Sequence, residues 1–163
     1  MAASSLADLL QFEKHFEDAA TTFLTADVGI TTFISAEISD LVTPRLEIEF
    51  ISGEAELPID DPITSVPSLS AGEYRKYTGE FMVTVVTDPT VGETRANHFL
   101  YVGKVRTSLL RSEDNWDSST LPYYDLKFIR QIGTSRETDG DFQITTISYE
   151  IRFAIRDDMF PTS

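Results

Sequence analysis

The stretch Asp141–Arg156, "DFQITTISYEIRFAIR", decides how the chain is to be read, because its alternation changes phase in the middle. Phe142 and Ile144 are apolar at even positions, whereas Ile147, Tyr149, Ile151, Phe153 and Ile155 are apolar at odd ones. Successive side chains of a strand point to opposite faces, so a slip of one residue would turn a whole apolar set outward. Two readings follow. Either the chain breaks here, or an extra residue at Thr145–Thr146 forms a β-bulge that restores the phase within one continuous hairpin strand. On the second reading Tyr149, Ile151, Phe153 and Ile155 face a core, and Ser148, Glu150, Arg152 and Arg156 line the opposite face in mixed charge.

Working outward, "YYDLKFIRQI" (123–132) precedes "GTSRETDGD" (133–141), whose Asp139-Gly140 is a hairpin signal. The sole tryptophan, Trp116, stands in the polar run "EDNWDSS" (113–119), where its anchoring pocket belongs either to its own domain or to a neighbouring subunit. Residues 93–111 have helical spacing, with Ala96, Phe99, Leu100, Val102, Leu109 and Leu110 as the apolar side. Lys104, Arg106 and Arg111 bias the second half of that helix cationic, as the helix dipole favours. "EYRKYTGEFMVTVVTD" (73–88) alternates, placing Tyr77, Phe81, Val83 and Val85 on one face and Lys76, Thr78, Glu80 and Thr84 on the other. "TPRLEIEFIS" (43–52) is a further strand, with Leu46, Ile48 and Phe50 inward and Arg45, Glu47 and Glu49 toward water. Between these strands lies an acidic loop or arm at about 53–73, punctuated by Pro58, Pro62 and Pro67 and predicted to be the most mobile part of a lone subunit.

The N-terminal segment carries a Ser5-x-x-Asp8 capping pattern and a helix predicted over about 5–25, with Phe12 on its flank. "ITTFISAEISDLV" (30–42) is ambiguous between a short strand and a helical turn. The expected fold is therefore α+β: one domain over 1–163, a mainly antiparallel sheet with two helices on one face, in the order α-β-β-α-β-β.

Composition narrows the function. The 163 residues suit a single domain with a real core. The absence of cysteine removes disulfides, thiolate metal sites and thiol nucleophiles. No stretch has the length of a membrane span, and the N-terminus lacks the basic start and apolar run of a secretory signal, so synthesis in the cytoplasm is expected. The net charge of −14 is uneven: 14 acids and 2 bases give −12 over residues 1–73, while 13 acids and 11 bases give −2 over 74–163. Such a chain is a poor general binder of nucleic acid, whose phosphates call for cations.

Chemistry-bearing motifs are scarce. His15 and His98 have no ligand-spaced partner on their helices and read as surface or half-buried structural residues. Asp60-Asp61 and Asp139-x-Asp141 lack the spacing that surrounds a calcium ion with oxygens. No nucleophile elbow, phosphate loop or dinucleotide fingerprint is present. The expectation is a non-enzymatic protein without cofactor or metal.

The order of elements carries a resemblance. A helix, a strand opening "TPRLEIEF" (43–50), a long strand "YRKYTGEFMVTVV" (74–86), a helix after "GETRAN" (92–97) and a hairpin ending "ISYEIRFAIR" (147–156) is similar to the tail terminator and tail-completion proteins of long-tailed bacteriophages. The acidic segment at 53–73 departs from their compact pattern. The resemblance implies helices packed on a sheet and a structural role in the virion. It also implies a homo-oligomeric ring, usually of six, that terminates the tail tube and joins it to the head connector and neck proteins. DNA would pass through the lumen without sequence-specific binding. Such a ring needs complementary surfaces, for which the charge split nominates Arg75, Lys76, Arg95 and Arg106 as interface candidates. Trp116, as a pocket anchor, and Glu150, Arg152 and Arg156, on the mixed face of the last strand, join them. The competing readings are a cytoplasmic adaptor or acidic DNA-mimic module, and a hydrolase with an unmarked carboxylate pair.

Overall fold

The computed structural model describes residues 5–35, 42–56, 76–110, 116 and 121–159. The chain forms α1 (Leu6–Leu9), α2 (Phe12–Val28), β1 (Thr32–Ile34), β2 (Arg45–Glu56), β3 (Lys76–Thr87), α3 (Arg95–Leu110), β4 (Tyr124–Asp139) and β5 (Phe142–Ile155). The five strands make one sheet in the order β1-β2-β3-β5-β4, antiparallel throughout except for the short parallel pair β1–β2. This is the expected α+β layout with one added strand: the ambiguous segment at 30–42 supplies β1, whose three residues pair with Leu46–Ile48.

The first helix is broken where one continuous helix was expected. Ser5 Oγ accepts from the Asp8 amide at 3.0 Å, as the capping pattern requires. The helix then stops because two side chains take its next carbonyls. His15 Nε2 contacts the Asp8 carbonyl at 2.7 Å and the Tyr124 hydroxyl donates to that of Leu9 at 2.5 Å. In a continuous helix those oxygens would accept from residues 12 and 13. The restart at Phe12 puts Phe12, Phe16, Ala20, Leu24 and Val28 on one buried stripe, so Phe12 belongs to the core and not to the flank. Gly29, in the left-handed region at φ 87°, closes the helix with its amide on the Thr25 carbonyl.

Against this stripe lies the inner face of the sheet: Leu46 and Ile48 of β2, Tyr77, Phe81, Val83 and Val85 of β3, and Ile147, Tyr149, Ile151 and Phe153 of β5. Rings dominate the centre. Tyr77 stacks on Phe153 at 4.8 Å and Phe81 on Tyr149 at 5.2 Å between centroids. Fully burying a side chain of this size is worth about 1.5–3 kcal/mol, so the layer is the main source of stability. α3 closes the other half of the core through His98, Val102, Val105 and Leu109, a spacing of four, three and four. Leu100 and Leu110, expected on its apolar side, point outward instead.

The phase slip in the opening stretch has an unexpected cause. β5 is a single strand, and its register against β3 runs from Ala154 to Gln143 without a shift, so the bulge expected at Thr145–Thr146 is absent. Thr145 continues the inward row of odd residues as a buried polar member. Phe142 and Ile144 lie on the outer face, where Ile144 neighbours the buried Val86. The bulges sit in the other strands: one residue, Ile51, is extra in β2, and Lys127 and Ile132 are extra in β4. The β4–β5 hairpin turns where expected, but one residue later than an Asp-Gly centre: Asp139 pairs with Phe142, so Gly140, at φ 60°, and Asp141 are the central residues.

Of the segment at 53–73, residues 53–56 extend β2; the mobility expected for the rest falls outside the described residues, as do Arg75 and the Asp60-Asp61 pair.

Candidate functional surface

The nominated residues occupy three separate places. Lys76, Arg152 and Arg156 converge on the outer face at the open end of β3–β5–β4, around a cleft of about 580 Å³ floored by Phe128 and Ala154. Lys127 adds a further cation, and Asp125 and Asp158 supply the acids. Arg152 Nε reaches Thr78 Oγ1 at 3.3 Å, and its guanidinium lies 5.5 Å from the Phe128 ring centroid. Arg156 is held by the Pro122 carbonyl and by Asp158, both at 3.0 Å. Glu150, two rungs along from Arg152, pairs with Arg130 across the β5–β4 ladder. The outer face is therefore mixed in charge, as the alternation of β5 predicted.

Arg95 and Arg106 lie on α3, on the other side of the sheet. Arg106 bonds Gln131 and Thr134 of β4, each at 3.2 Å, tying the helix to the edge strand. Arg95 and Arg136 both lie over the Phe99 ring, at 4.9 and 4.6 Å from its centroid. Stacking on an aromatic face holds each guanidinium in place and leaves donors in its plane for a partner.

Trp116 is only 3% exposed and stacks on Phe16 at 5.2 Å, with Phe23 at 4.8 Å. Its pocket is in its own domain. That removes it from the free surface, although Nε1 has no hydrogen-bond partner among the described residues.

Both histidines are structural, but His98 is more deeply placed than its helix context suggested. It is 1% exposed, with Nδ1 2.8 Å from Thr87 Oγ1 and Nε2 2.7 Å from Thr145 Oγ1. Burial, with a smaller contribution from Arg136, holds its pKa below the usual 6.5. His15 sits half-buried against Tyr123. Burial raises the pKa of the Tyr149 hydroxyl, which has no hydrogen-bond partner among the described residues. Asp139 precedes the exposed hairpin turn and Asp141 lies within it. Among the described residues no group of three or more His, Asp or Glu converges as a metal site, and no helix is long and apolar enough to cross a membrane. Among the described residues, the feature with a binding character is charge arranged on sheet and helix surfaces.

Sequence reasoning missed Arg130, Arg136 and Lys127 as surface cations. The register gives the signal that would have found them: bulges at Lys127 and Ile132 reset which face each β4 residue occupies.

No protein-family model and no curated relative matches the sequence. The fold is similar to that of a chain in the virion of a native gene transfer agent particle, with a TM-score of 0.51 and 14% identity over 93% of this chain and 99% of that one.

Proposed function

We propose that the chain is a structural, non-enzymatic subunit of a phage-type virion, forming a homo-oligomeric ring at the tail or neck that terminates the tail tube and joins it to the head. The observation carrying this reading is the likeness to a virion chain across nearly the whole length of both proteins. The element order that resembles tail terminator proteins supports it independently. So does the placement of charge: arginines fixed on rings and on neighbouring polar groups offer preset contacts, while the acidic first half repels DNA phosphates in a lumen. The partners on this reading are further copies of the chain, the tail tube protein and the connector or neck proteins. No cofactor is required.

Electron microscopy of particles labelled with antibody against this chain tests the assignment. Label confined to the head–tail junction is the expected result. Label along the tube or on the capsid, or particles that lack the chain, would overturn it.

A further inference from the structure

α3 carries a second seam on its solvent side. The buried residues His98, Val102, Val105 and Leu109 each have an exposed one two positions earlier: Ala96, Leu100, Gly103 and Thr107. Two residues turn a helix through about 200°, so this second row lies on the side away from the core. Exposed Leu110 prolongs it, and the spacing runs four, three, four, three. That is the repeat by which one helix packs along another. Its leucines stand in water, Leu100 55% and Leu110 76% exposed.

Gly103, in the middle of the row, serves nothing inside the subunit. Glycine within a helix is less stable than alanine. Gly103 is not among the glycines at positive φ, and a Cβ there would meet no atom within 4 Å. What the missing side chain supplies is a notch between Leu100 and Thr107, where another backbone can come close.

α2 offers the counterpart. His15, Ala19, Thr22 and Ala26, spaced four, three and four, line a groove of about 520 Å³ together with Phe23 and Tyr123. Three small side chains make it hollow where the α3 row has leucines. The charges are opposite as well. α3 holds Arg95, Lys104 and Arg106 and no acid, giving +3. α2 holds Glu13, Glu17, Asp18 and Asp27 against Lys14, giving −3, and Asp18 lines the groove.

We infer that α3 of one subunit packs, through Leu100, Gly103 and Leu110, in the α2 groove of the next copy. Two α3 rows would set cations against cations and two α2 grooves acids against acids, so charge opposes the twofold pairings and favours the unlike one. A contact between unlike surfaces propagates and closes into a ring when the rotation suits. The inference deepens the assembly reading above and rests on it.

Gly103→Ala separates this from a structural role, because the two effects have opposite signs. The variant should raise the melting temperature of the dissociated subunit and lower the oligomer fraction seen by light scattering. The chain has no cysteine, so contacts can be mapped directly. Leu100→Cys and Thr22→Cys chains, mixed and treated with a short bismaleimide, should give a linked dimer, while each alone stays unlinked. Lys104→Glu should reduce the linked fraction, and Asp18→Lys on the other chain should restore it. Gly103→Ala assembling as well as the wild type, self-linking of either single variant, or no link in the mixture while light scattering shows an oligomer overturns the helix contact and leaves the ring assignment standing. A wild type that is monomeric by light scattering removes both.

Discussion

His98 Nε2 of α3 lies 2.7 Å from Thr145 Oγ1 of β5, a buried bond between a helix and the middle of the sheet. It explains why the alternation of the last strand changes phase without a bulge. Thr145 faces the core because a histidine meets it there, and Thr87 of β3 holds the opposite ring nitrogen. One helix residue thus bridges two adjacent strands.

Removing that hydroxyl leaves a buried ring nitrogen unpaired. Thr145→Val should therefore lower unfolding free energy by about 1–3 kcal/mol, although it is isosteric and more apolar. Thr145→Ser should retain most of the stability. Urea denaturation of the three proteins checks this, and equal midpoints would refute it.

The same site makes stability depend on pH. The folded pKa of His98 lies below 6.5, its value in the unfolded chain, so below that pH the unfolded state binds more protons. The His98 contribution is complete above pH 6.5 and is lost as pH falls toward the folded pKa. His98→Gln should be less stable at neutral pH and should show a shallower decline on acidification than wild type. Melting temperatures across pH 7 to 5 would show it.

The alternation of β3 and β5, the hairpin at Asp139-Gly140 and the two long helices were legible because each rests on local periodicity or turn chemistry. The missed features are tertiary. Thr145 was read as part of a bulge because a count of apolar residues cannot register a polar side chain satisfied by a partner 47 positions away. The break before Phe12 was hidden because the side chains that capture the Asp8 and Leu9 carbonyls come from His15 and from distant Tyr124. Arg45 was placed in water, yet it is buried and bonds Glu47 at 2.9 Å and the Val42 carbonyl at 3.1 Å. Of the candidate surface, the mixed outer face of β5 was readable from period two alone. The Arg95–Phe99–Arg136 stack was not, since it joins a helix to an edge strand.

Gly53 is fixed by a close approach. A Cβ there would stand 1.7 Å from the Tyr77 hydroxyl oxygen, and Tyr77 is confined by Phe12, Phe50 and Phe153 while bonding Glu13 at 3.0 Å. Overpacking of this kind costs about 1–3 kcal/mol, so Gly53→Ala should destabilise the fold by that order. In a Tyr77→Leu background the added penalty should shrink, a coupling readable from a double-mutant cycle. Strict additivity would contradict the packing described.

Trp116 reports on its own core. Its fluorescence should be blue-shifted and should not change when an assembly is diluted to subunits, because its partners Phe16 and Phe23 are in the same chain. Trp116→Ala should cost about 3–5 kcal/mol, as expected for a large buried aromatic. A red shift on dissociation would place it at an interface instead.

The central claim is that copies of this chain close into a ring, and mass in solution tests it most directly. Light scattering combined with class averages of negatively stained protein should reveal a closed ring near six times the 18.3 kDa chain mass. High salt should lower its population, since charge sets the register of the contact. A monodisperse species at the mass of one chain, at high concentration and low salt, with no ring on purified particles, would contradict the account.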